Sequence, residues 1–89
     1  MDLEKIKAII GDNTLSYAKI SSFDVANIME HVNVKLYMDD ATLDYYYGIN
    51  INDLVSSDIG ENDIENLKKQ GWSFSDDNTK LIIYLTNSN

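Results

Sequence analysis

Arginine, cysteine and proline are all absent from the 89 residues, and histidine occurs once, at His31. Without cysteine there can be no disulfide, thiolate nucleophile or cysteine-ligated zinc. A lone histidine excludes a two-histidine metal centre and makes any Ser-His-Asp triad depend on one residue. Without arginine the chain lacks the planar side chain that grips phosphates with two parallel hydrogen bonds. Seven lysines stand against fifteen Asp and Glu, for a net charge of -8, so direct binding of DNA, RNA or an anionic membrane is not expected. No apolar run approaches the ~18 residues of a membrane span, and Met1-Asp2-Leu3-Glu4 lacks the basic-then-apolar order of a signal peptide; a cytoplasmic protein is expected. The four glycines, Gly11, Gly48, Gly60 and Gly71, are scattered and form neither a Walker loop nor a dinucleotide fingerprint.

With 44% hydrophobic and 25% charged positions, the chain suits one small globular domain, expected over residues 1–85, followed by a polar tail at 86–89. Leu3, Ile6, Ile9 and Ile10 recur at helical spacing between an N-cap at Asp2 and a stop at Gly11. Thr14 to Ile20 alternates weakly, as a strand. Ser21 and Asp24 make a capping-box pattern ahead of a second helix carrying Phe23, Val25, Ile28, Met29 and Val32. Val34, Leu36 and Met38 alternate up to the turn Asp39-Asp40-Ala41-Thr42, and Leu43, Tyr45, Tyr47, Ile49 and Ile51 alternate after it: a hairpin. Ile51, Leu54 and Val55 can begin a helical turn, and Glu61 to Gln70 reads as a third helix ended by Gly71. Trp72 and Phe74, the turn Asp76-Asp77-Asn78-Thr79, and Leu81, Ile83 and Leu85 make a second hairpin. The pattern predicts an α+β domain, a mostly antiparallel sheet of two hairpins against two or three short helices. Its core should gather Leu3, Ile6, Phe23, Ile28, Leu36, Leu67, Trp72, Leu81 and Ile83.

The charge is uneven. Between Leu36 and Leu67 lie Asp39, Asp40, Asp44, Asp53, Asp58, Glu61, Asp63 and Glu65 and no lysine; these eight equal the whole net charge, and the remainder balances seven acids with seven lysines. Helix-dipole compensation explains Glu61, Asp63 and Glu65 near a helix start. It does not explain Asp39, Asp40, Asp44, Asp53 and Asp58. The Asp-rich turns do not follow the calcium-loop pattern, since the twelfth residue counted from Asp58 is Lys69. Neither metal nor cofactor is expected, and no pair of carboxylates stands out for acid-base catalysis. His31, near a helix end, is expected to interact with the terminal carbonyls. In Tyr45-Tyr46-Tyr47, alternation sends Tyr46 to the face opposite its neighbours, where with Asp44 it makes a contact patch.

A surface of Asp39, Asp40, Asp44, Tyr46, Asp53, Asp58, Glu61 and Glu65 therefore predicts a non-catalytic inhibitor or adaptor. Its partner would be a protein with a basic, nucleic-acid-binding groove. The competing expectation is a structural or homo-oligomeric domain whose acidity serves solubility. Tyr46-Tyr47-Gly48 followed by Asn50, Ile51 and Leu54 resembles, over about fifteen residues, the tyrosine-glycine segment of barstar-like nuclease inhibitors. The rest of the chain does not follow that pattern. In charge and size it also resembles the nucleic-acid mimics by which phages disable restriction or CRISPR enzymes. That resemblance implies a carboxylate array imitating a row of phosphates, helical carboxylates three or four residues apart lying roughly 5 to 6 Å from one another.

Overall fold

The computed structural model describes residues 1–11, 17–18 and 28–85. Helix α1 (Leu3–Ile10) begins where the Asp2 carboxylate accepts the Lys5 N–H at 2.8 Å and stops at Gly11, as expected. Strand β1 (Tyr17–Ala18) lies within the segment expected to be extended. Residues 28–29 are helical and the chain leaves that turn through His31 and Val32, whose N–H groups both donate to the Ile28 carbonyl. The Ser21 and Asp24 capping pattern, Phe23 and the 86–89 tail lie outside the described residues.

Strands β2 (Val34–Met38) and β3 (Tyr45–Asn50) form the first hairpin. Helix α2 (Ile51–Ser56) follows without a loop, because Asn50 ends the strand and also caps the helix, accepting the Asn52 N–H at 2.8 Å. Ile51, which the sequence offers both to the strand alternation and to a helical turn with Leu54 and Val55, is the first residue of the helix because the asparagine cap precedes it. Helix α3 (Glu61–Gln70) starts with the Asp63 carboxylate reaching back to the Gly60 N–H. It ends at Gly71, whose φ of 104° is left-handed. Gly71 N–H donates to the Lys68 carbonyl and Trp72 N–H to that of Leu67, satisfying carbonyls the helix leaves open. This reversal drops Trp72 into the core with no exposed surface, its indole N–H donating to Gln70 Oε1 at 3.0 Å. Strands β4 (Ser73–Phe74) and β5 (Lys80–Leu85) complete the second hairpin.

The sheet runs in the order β1-β5-β3-β2, with β4 also paired to β5. All pairings are antiparallel except β1 with β5. The expected α+β class with a mostly antiparallel sheet is the one observed. Register places Val34, Tyr47, Ile49, Leu81 and Ile83 on one face, and Ile6, Ile10, Leu54, Ile64 and Leu67 of the helices pack against it. Six of the nine expected core residues, Ile6, Ile28, Leu67, Trp72, Leu81 and Ile83, share that cluster, and Leu3 packs on its margin. Leu36 does not: it is 56% exposed. It has the parity of a core residue but stands on the terminal strand, at the margin of the helical layer.

Candidate protein interface

The β2–β3 hairpin is in register from Val34 opposite Ile49 to Met38 opposite Tyr45. Paired residues share a face, so Leu36, Met38 and Tyr45 point to the same side as the core residue Ile49. Ile49 is fully buried, whereas Met38 is 46% and Tyr45 52% exposed, because the helices cover the other end of the sheet. Leu43, in the adjoining loop, is 67% exposed. It was expected in the strand but lies in the loop, where φ is +61°. Such backbone costs a residue with a Cβ roughly 1–2 kcal/mol. Leu43 is held there because its N–H donates to the Asp39 carbonyl at 2.7 Å while Asp39 N–H donates to the Asp44 carbonyl at 2.8 Å. Exposed large apolar side chains gathered on one element often mark an interaction site.

The connecting loop carries three carboxylates, and that of Asp39 turns toward Tyr84 on the opposite face of the sheet. Asp40 is exposed in the loop, and Asp39 and Asp44 flank it half-buried. The Asp39 carboxylate accepts the Ala41 N–H at 2.9 Å and the Tyr84 hydroxyl at 3.0 Å, and these bonds hold its pKa below the usual carboxylate range. The loop is therefore anionic at neutral pH.

On the opposite face a row of tyrosines crosses three strands. Tyr37, Tyr46 and Tyr84 occupy one register line over β2, β3 and β5. Tyr37 and Tyr46 stack with centroids 5.3 Å apart, and Tyr46 meets Tyr84 at 5.1 Å. Gly48 permits the first contact: a Cβ there would lie 2.8 Å from Tyr37 Cε2. Lys80 Nζ sits 5.5 Å from the centre of the Tyr37 ring. Asp39, Tyr46, Ser75, Asp77, Ile82 and Tyr84 line a groove of about 290 Å³ on this face. Asp77 is locked within its turn: the Thr79 and Ser75 hydroxyls and the Thr79 N–H donate to it and lower its pKa to about 2.

The structure thus brings Asp39, Asp40, Asp44 and Tyr46 to the hairpin and places the other expected contact residues elsewhere. Asp53 is exposed in the first turn of α2. Asp58, between α2 and α3, lies 3.1 Å from His31 Nδ1, so His31 meets a carboxylate rather than the helix carbonyls. Glu61 pairs with Lys5 of α1, whose pKa is raised by that hydrogen bond and charge. Glu65 is exposed on α3 beside Lys68 and Lys69. Sequence reasoning missed Leu36, Met38, Leu43 and Tyr45 as surface residues, and it missed Tyr37 and Tyr84 as partners of Tyr46. Period-two alternation identified the faces; it carries no information about which strand ends the sheet. Among the described residues no cluster of histidine and carboxylates could hold a metal, and no helix is long and apolar enough to cross a membrane. No family model matches the chain, and neither a curated protein nor a solved structure matches it.

Proposed function

We propose that this protein is a non-catalytic binding module that docks its β2–β3 hairpin onto the basic surface of a nucleic-acid-handling protein and inhibits it by occupying that surface. The observation that carries the proposal is the exposed apolar side of Leu36, Met38 and Tyr45 on a hairpin whose loop carries the exposed Leu43 and the acids Asp39, Asp40 and Asp44. An apolar centre with a charged rim is the anatomy of a protein interface, the centre supplying affinity and the rim steering and orientation. The charged residues of the loop, Asp39, Asp40 and Asp44, are all acidic, so the complementary surface is basic, and basic grooves are what nucleic-acid-binding proteins present. Occupancy by complementarity needs no chemical step.

The test is to isolate the bound protein from the native host and measure its association with three forms of the chain. Asp39, Asp40 and Asp44→Asn should slow association about tenfold at low ionic strength, with the loss shrinking as salt screens the field over ~8–10 Å. Glu4, Glu30 and Glu65→Gln, which removes equal charge away from the hairpin, should change it far less. Equal effects of both triples on folded proteins would mean that net charge alone matters. Recovery of only further copies of this chain would favour the structural alternative.

A further inference from the structure

We infer that the outer edge of β2 is a strand-addition site, taking an extended segment of the partner that runs antiparallel to Val34–Met38. The segment would carry Lys or Arg at its N-terminal end and apolar side chains on the side of Leu36 and Met38. The inference rests on the hairpin being the docking element and specifies how the partner engages it.

Among the described residues β2 is the last strand of the sheet, and nothing pairs with its outer edge. The direction of its hydrogen-bonding groups follows from the ladder. Asp39 N–H donates across to Asp44, and antiparallel bonding alternates, so Lys35 and Tyr37 also bond inward to β3. The N–H and C=O groups of Val34, Leu36 and Met38 consequently face outward. Edges are ordinarily protected by proline, by several charges, by a bulge or by brevity. β2 has five residues, one lysine and no proline, and its register with β3 is unbroken. Its outward-bonding residues are also the ones that place exposed leucine and methionine on the apolar side, so a segment adding there would gain ladder bonds and apolar contact together.

Charge identifies the occupant. Asp39 and Asp40 follow the C-terminal end of β2, with Asp44 across the turn. An antiparallel segment places its N-terminal end beside these acids, and positive side chains there are complementary. A second copy of this chain fits less well. Each copy brings a net charge of -8, so two copies repel one another.

The probe is the synthetic peptide acetyl-Lys-Lys-Val-Thr-Val-Thr-Val-amide, titrated into the full chain at low ionic strength with amide hydrogen exchange followed by NMR. In the free protein the Leu36 and Met38 amides should exchange fast and those of Lys35 and Tyr37 slowly. Binding should slow Leu36 and Met38 about tenfold or more and leave the other two little changed. Leu36→Pro removes an outward N–H and no internal ladder bond, so it should remain folded and weaken peptide binding about tenfold or more. Should that variant not fold, the alternating exchange pattern of the unmodified chain decides alone. Binding with protection confined to residues 39–44, unaffected by Leu36→Pro, would overturn strand addition and leave charge-guided docking standing. Absence of binding would also overturn it, while the aspartate triple tests the docking surface independently. Self-association abolished by Leu36→Pro would assign the edge to a second copy and overturn the inference.

Discussion

Gly48→Ala asks whether the tyrosine face is tightly packed or merely decorated. In a strand this substitution is ordinarily favourable: alanine restricts the unfolded chain and gains roughly 0.5–1 kcal/mol over glycine. Here the new methyl would lie 2.8 Å from Tyr37 Cε2, 3.1 Å from Cδ2 and 3.4 Å from Lys80 Cδ. The ring cannot simply lift, because it stacks on Tyr46 at 5.3 Å and supports the Lys80 ammonium. Forcing a methyl into such a contact costs about 1–3 kcal/mol, and losing the ring pair a further ~0.5–1.5 kcal/mol. The steric cost exceeds the backbone gain, and a net destabilisation of roughly 0.5–4 kcal/mol is expected. For a chain of this size each kcal/mol lowers Tm by roughly 4–8 °C. Urea unfolding followed by Trp72 fluorescence measures the change. The same substitution in a Tyr37→Ala background should be neutral or stabilising by up to ~1 kcal/mol, because the obstacle is gone. A Gly48→Ala protein as stable as the unmodified chain, or one whose loss is the same with and without the Tyr37 ring, would refute the packing account.

Leu43→Gly relieves a left-handed backbone while removing an exposed side chain, so it should stabilise the fold by up to ~1 kcal/mol in denaturant titration. It should nevertheless weaken partner binding; stronger or unchanged binding would remove Leu43 from the interface. Trp72→Ala empties a fully buried site and should cost about 3–5 kcal/mol, read from circular dichroism melts. Asp77 has a folded-state pKa below its unfolded one, so its contribution is present above about pH 4 and is lost as pH falls toward 2. An NMR titration of its carboxyl should show a midpoint near 2, and Asp77→Asn should flatten the acid limb of the stability profile.

Local chemistry made much of the fold legible. Asp2 and Gly11 bound α1 and Gly71 ends α3 because caps and left-handed turns depend on a few adjacent residues. Both hairpins follow from period-two alternation around polar turns. The sequence was ambiguous or misleading where two local preferences met. Ile51 continues the strand alternation, but Asn50 offers a helix cap, and the cap prevailed. Leu43 has strand chemistry, but it lies in the six-residue connection between β2 and β3 with a left-handed backbone.

The charge asymmetry that motivates the proposed function was fully present in the amino-acid sequence, since a count of acids and lysines needs no coordinates. Its organisation was not. Asp39, Asp40, Asp44 and Tyr46 meet at one hairpin while Asp53, Asp58, Glu61 and Glu65 belong to the helical side, where Lys5 and His31 engage two of them. Leu36 and Ile49 have equivalent places in the same alternation, yet Ile49 is sealed and Leu36 is 56% exposed. Periodicity reports which side of its own strand a residue takes. Whether that side is covered depends on strand order and helix placement, which arise from contacts between residues far apart in the chain, and only the tertiary structure decides them.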